Sequence, residues 1–176
     1  MMRFGLIGLG GIGEVRKQAL EVSTECELTA AFDLDSTALA RLPGHVSVFK
    51  DAEQLLKSDA CDAVIISTPT HFHKDLALTA LESGKHVIVE KPMASSLADC
   101  EQMVETARRC GKLLTVGFNH RYFAAIKEVK AAIRSGALGT LRYVKGYAGH
   151  TGLSEFKSEW MYDKDKMGGG TLMDNC

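Results

Sequence analysis

The sequence predicts an α/β protein built on a doubly wound parallel sheet with helices on both faces. Two observations carry that reading. Apolar, β-rich runs alternate with helical patterns over the first two thirds of the chain, the signature of parallel strands joined by helical crossovers. The first such run also passes directly into Gly8-x-Gly10-x-x-Gly13, a tight turn between a strand and a helix.

The elements follow in order. Residues 3–8 read as a buried strand and 12–23 as its helix. Residues 27–33 form a second strand, 36–42 a short helix and 46–49 a brief third strand. Residues 51–58 form a helix with Asp51 as its cap. Residues 63–67 form a fourth strand, and 72–82 an amphipathic helix that Gly84 stops. His86–Val89 is a fifth strand, 96–110 a helix stopped by Gly111, and 112–117 a sixth strand. This is a complete Rossmann-type unit over residues 1–120. The character then changes. Residues 122–135 form one more amphipathic helix closed by Gly136. Residues 140–148 alternate like a half-buried antiparallel strand, with Leu141, Tyr143 and Tyr147 on one face. A single strand and helix cannot bury a core, so residues 121–176 read as the incomplete start of a second domain.

The bulk properties narrow the function. A net charge of −1 leaves no electrostatic footprint for nucleic acid or an anionic membrane, and no unbroken apolar run is long enough to span a bilayer. The five cysteines, at positions 26, 61, 100, 110 and 176, include no C-x-x-C pair. Free thiols in a reducing cytoplasm are expected rather than a disulfide or zinc framework. The histidine pair His71 and His73 has no third ligand nearby, so no metal is expected.

The glycine turn points to a dinucleotide. Gly8 permits the turn, Gly10 clears space for a pyrophosphate, and Gly13 allows close helix–strand packing. The helix start at Gly11 and Ile12 offers free N–H groups to phosphates. The same glycine pattern also joins strands to helices in proteins without nucleotide. Asp33 ends the second strand about twenty residues past Gly13, where a carboxylate accepts the ribose hydroxyls of NAD and repels the extra phosphate of NADP. NAD is therefore expected over NADP, the lesser alternative being that Asp33 merely starts a turn. Ser67-Thr68-Pro69 close the fourth strand on the crevice side. Thr68 and Thr70 are candidate caps for the next helix, and His73 is a candidate cofactor contact. Lys91, between Glu90 and Pro92, sits at the carboxyl end of the fifth strand. Burial there would lower its pKa toward a useful range for proton transfer, and a cis bond to Pro92 is compatible with the motif. A surface turn explains the same three residues. Asn119 and Arg121 either face substrate or tie the two domains together. Asp163 to Lys166 reads as a solvated loop.

Further motifs join these in order and spacing: Thr68-Pro69-x-x-x-His73, Gly84-Lys85-His86-Val87, Glu90-Lys91-Pro92, Gly117-Phe118-Asn119-x-Arg121, Gly139-x-Leu141, Trp160, and Gly168-Gly169-Gly170-x-Leu172-x-Asp174. Together they resemble the glucose–fructose oxidoreductase / inositol dehydrogenase / MocA family along the whole chain. The resemblance implies a second domain on a large open antiparallel sheet. It also implies oxidation or reduction of a secondary alcohol on a sugar or cyclitol with NAD or NADP, in a homo-oligomer. Carried onto this sequence, it makes Lys91 and Asp174 catalytic. With the motif reading above, the expected substrate contacts are Lys91, Asn119, Arg121 and Asp174, and the expected cofactor contacts are Gly8, Gly10, Gly11, Ile12, Gly13, Asp33, Ser67, Thr68, Pro69, His73, Glu90 and Lys91. The family's acid/base histidine falls beyond Cys176, so the chain as given is expected to bind dinucleotide without competent turnover. Cys176 stands where the family usually has glycine, and Arg16 where many members have histidine. The alternative is a non-catalytic dinucleotide-binding regulatory module, which the family also includes.

Overall fold

Branched and aliphatic residues dominate the strand runs, and their two-residue repeat sends successive side chains to opposite faces. In the computed structural model, which describes residues 1–147 and 162–169, six parallel strands form one sheet. They are β1 (Met2–Ile7), β2 (Cys26–Phe32), β3 (Ser47–Val48), β4 (Ala63–Ile66), β5 (His86–Val89) and β6 (Leu114–Val116). Their order is β3-β2-β1-β4-β5-β6. The chain reverses direction across the sheet between β1 and β4, which opens a crevice at the carboxyl ends of those strands.

Alternation divides the core in two. Ile7, Ala30, Val64, Ile66, Val87 and Val89 face one side. There they pack on α3 (Ala52–Lys57), α4 (His73–Glu82) and α5 (Leu97–Cys110) through Leu55, Leu56, Ala77, Ala80, Leu81, Met103 and Ala107. Leu6, Ala31 and Ile65 face the other side, against Leu20 of α1 (Gly11–Glu21) and Leu39 of α2 (Ser36–Leu39). Local signals set the helix ends. The Asp51 carboxylate accepts from Gln54 N at 2.7 Å and Ser96 Oγ from Asp99 N at 3.2 Å, both filling an orphan donor of a first turn. Gly111 ends α5 in the left-handed conformation, at φ +64°.

Three expectations are corrected. Residues 140–147 join no strand ladder among the described residues, and Leu141, Tyr143 and Tyr147 are all exposed. An alternating pattern becomes a strand only where an edge accepts its backbone groups. Neither Thr68 nor Thr70 caps α4. A 3-10 turn, Thr70–Phe72, leads into that helix without a side-chain cap, and the buried Thr70 hydroxyl turns to Met167 Sδ at 3.8 Å. The charged run at 163–166 is not a loop but the helical turn α7 (Lys164–Met167), with Asp163 accepting from Asp165 N at 3.0 Å. A further helix, α6 (Ala124–Arg134), leaves Ile126, Val129 and Ile133 exposed on one stripe. No helix among the described residues is long and apolar enough to cross a membrane.

Candidate functional site at the carboxyl ends of the strands

The first βα turn is shaped by what its glycines must avoid. Gly8 has φ +93°, and a Cβ there would lie 2.6 Å from Ser67 O on the neighbouring strand end. A Cβ at Gly13 would sit inside the Gly8 carbonyl group. These two positions hold α1, β1 and β4 together. Gly10 and Gly11 are different, since a Cβ at either meets nothing within 4 Å. The space above them is open, no side chain caps the α1 start, and a helix start leaves its first N–H groups without intrahelical partners.

That space belongs to a cleft of about 850 Å³, within the range of small-molecule sites. Gly8, Gly10, Gly11, Ile12, Asp33, Ser67, Thr68, Pro69, Glu90, Lys91 and Asn119 line it. Asp33 already organises the turn: its carboxylate accepts from Leu9 N and, at 2.7 Å, from Asp35 N. A carboxylate has about four acceptor positions, so capacity remains on the cleft side. Ser67 Oγ is buried with no partner among the described residues, a polar atom awaiting a ligand. The open cradle over Gly10 and Gly11, the helix N–H groups, Asp33 and this orphaned hydroxyl fit a dinucleotide. Pyrophosphate would lie over the turn and adenosine on the Asp33 side.

At the other end of the cleft, β5 delivers Glu90 and Lys91. Glu90 is almost fully buried and bonded to Arg16, whose Nε donates to Oε1 at 2.6 Å. Lys91 is exposed, so the burial expected to tune its ammonium is not found. Its bond to Pro92 is cis.

Other expected site residues lie elsewhere. Gly13 is packed under the turn. His73 is buried beneath the cleft floor, with Nδ1 3.0 Å from Pro92 O and Nε2 2.8 Å from Thr68 O. It braces the two loops against each other, and burial pushes its pKa below the usual imidazole value. Arg121 does not line this cleft, and its guanidinium lies 5.4 Å from the centre of the Phe118 ring. Asp174 and Trp160 lie outside the described residues. Among the residues that sequence reasoning missed, two stand out, one bonded to the cleft wall and one in it. Arg16 was noted only as a departure from a family pattern. Met167 is buried and lines the cleft from α7; Gly168 behind it, at φ +82°, approaches the Ser95 backbone too closely for any Cβ. The start of the glycine triplet was the signal that could have found it.

The likeness seen in the motifs extends to whole domains. A model of the oxidoreductase family described as an NAD-binding Rossmann fold matches residues 2–118, and the GFO/IDH/MocA C-terminal domain matches residues 126–176. Myo-inositol 2-dehydrogenase of Thermotoga maritima is 32% identical over 78% of this chain and 42% of its own length. Glucose-6-phosphate 3-dehydrogenase of Bacillus subtilis is 32% identical over 99% of this chain and 50% of its own. The structure of scyllo-inositol dehydrogenase from Lactobacillus casei with NAD(H) and scyllo-inositol superposes with a TM-score of 0.74. It shares 26% identity and covers 79% of this chain and 42% of that one. The chain thus spans half the length or less of these relatives. Strand order, glycine turn and matched domains together make this chain a member of the Gfo/Idh/MocA oxidoreductase family.

Proposed function

We propose that the protein containing this chain is an NAD-dependent dehydrogenase acting on a secondary alcohol of a sugar or cyclitol. The observation that carries the reading is the cleft itself. An open glycine cradle after β1 lies between an acceptor carboxylate, Asp33 after β2, and an exposed lysine, Lys91 after β5, along one cleft. Residues 1–120 would be the dinucleotide unit and 121–176 the beginning of the substrate unit. The similarity to an inositol dehydrogenase and a glucose-6-phosphate dehydrogenase supports the substrate class.

The nicotinamide would supply the hydride acceptor. This chain's residues would do the rest. The Gly10–Ile12 turn binds and orients, and Asp33 selects NAD over NADP by accepting ribose hydroxyls and repelling a phosphate. Lys91 Nζ donates a hydrogen bond to the substrate's hydroxyl oxygen and stabilises the charge that develops there as the proton leaves to the acid/base histidine that the family resemblance implies, with Asn119 beside it. Asp174 orients the substrate. Holding alcohol, amine and ring in reacting geometry supplies much of the acceleration. The chain covers half or less of the length of these relatives, and these residues alone are expected to bind NADH without turnover.

The test is Lys91→Ala in the longest protein that carries this chain, assayed with inositols and glucose derivatives. Turnover should fall on the order of 100-fold or more while NADH affinity stays near wild type. Unchanged turnover removes Lys91 from the reaction. A wild-type protein that binds NADH and turns over none of these alcohols favours the regulatory-module reading.

A further inference from the structure

Helix α1 sends one long side chain across to the far wall of the cleft. Arg16 ion-pairs with Glu90 and donates from Nη2 to Asn119 Oδ1 at 2.9 Å. The pair is shielded, with the two side chains only 18% and 6% exposed. Glu90 Oε2 also lies 3.4 Å from the N–H of Lys91. Gly117 admits this arrangement, since a Cβ there would come within 2.8 Å of Glu90 Oε1. One guanidinium therefore joins α1 to the carboxyl ends of both β5 and β6.

The position decides what this can do. In a sheet of this order, the ends of β1 to β3 receive the adenosine half of a dinucleotide and the ends of β4 to β6 the nicotinamide half. Asp33 lies on the first side; Glu90, Lys91 and Asn119 lie on the second. A planar guanidinium holds two acceptors in fixed directions, whereas an ammonium turns its donors freely on a compact head. Without it, Glu90 becomes a buried carboxylate lacking its partner, and must move to reach another. Asn119 loses the bond that orients it. Lys91 is attached to the residue that moves.

We propose that Arg16 is a positioning residue for the nicotinamide half of the cleft, preforming the wall that carries Lys91 and Asn119 while leaving the adenosine half unaffected. The proposal rests on the dinucleotide reading above and adds a residue to it. A preformed wall spares the ligand the cost of ordering it, so the loss should fall only on ligands that reach that wall.

The experiment is calorimetric titration of this chain and its Arg16→Met and Arg16→Lys variants with NADH and with ADP-ribose, which lacks the nicotinamide. In Arg16→Met, NADH should weaken about tenfold and ADP-ribose by less than about twofold. Arg16→Lys keeps a cation against Glu90 without spanning to Asn119, and should show a smaller, still NADH-specific loss. Thermal melts followed by circular dichroism identify any variant that does not fold. If Arg16→Met is such a variant, Arg16→Lys alone decides. Equal losses for both ligands, or none, would overturn the role of Arg16 and leave the dinucleotide site standing. A folded wild-type chain that binds neither ligand overturns both.

Discussion

The two ends of one sheet use polar residues in opposite ways. At the amino end the polar groups close on the protein itself. Arg3 grips Asp62 with Nε at 3.1 Å and Nη2 at 2.5 Å. Lys85, only 4% exposed, caps the carbonyls of Ser58 at 2.6 Å and Cys61 at 2.9 Å. At the carboxyl end the helix N–H groups, the spare acceptors of Asp33 and the buried Ser67 hydroxyl have been left for something else. The same strands thus end in a fastening on one side and a receptor on the other. Buried polarity marks a site only where the protein has not satisfied it.

Glycine substitutions give the sharpest way to break this contrast, because the two kinds of glycine sit within one turn. Gly13→Ala forces its Cβ into the Gly8 carbonyl and should cost about 3 kcal/mol of stability in urea unfolding, at the upper end of overpacking effects. Gly10→Ala meets open space at a helix cap with an ordinary negative φ. It should cost less than about 1 kcal/mol and yet weaken NADH on the order of tenfold, since the methyl group occupies the pyrophosphate's place. Equal stability losses in the two variants would erase the distinction between packing and receiving glycines.

The amino end supplies the converse. Lys85→Met takes this donor from the buried Cys61 carbonyl and the half-buried Ser58 carbonyl and should cost about 2 kcal/mol, with NADH affinity unaltered in the folded fraction. Asp33→Ser tests the receptor side. Calorimetry should show NADH weakened about tenfold and the gap to NADPH narrowed, because the acceptor and the repelling charge are lost together. An unchanged gap would leave Asp33 only its role in the turn. The smallest effect belongs to Asp62. The Arg3 guanidinium holds its carboxyl down to about 2, below the ordinary value of about 3.9. The unfolded chain therefore takes up a proton that the folded chain refuses. The contribution is complete above about pH 4 and disappears as pH falls through about 2. Both side chains are 42% exposed, so the effect is that of a screened surface pair. Asp62→Asn should flatten this part of the stability–pH curve, seen in melts at low ionic strength.

The contrast also separates what the sequence made legible from what it did not. Periodicity exposed each strand, because the alternation that splits Ile7 from Leu6 and Val64 from Ile65 is written in consecutive residues. The turn glycines and the Asp51 cap were legible for the same reason, being local. Arg16 and Glu90 lie 74 positions apart, and no spacing rule joins an arginine on α1 to a carboxylate after β5. The burial of Lys85 and His73 was equally hidden: lysine and histidine are usually exposed, and only the assembled sheet surrounds them. Residues 140–147 show the opposite failure, a clear local pattern without a paired edge among the described residues.

The central claim is that the carboxyl-end cleft is a dinucleotide receptor already formed in this chain. Calorimetric titration with NADH, alongside a thermal melt of the same sample, tests it most directly. The expected result is a cooperative melt and one saturable NADH site, weakened in Gly10→Ala without loss of fold. A cooperatively melting chain that takes up no NADH would contradict it, and would reduce the glycine turn to a joint between strand and helix.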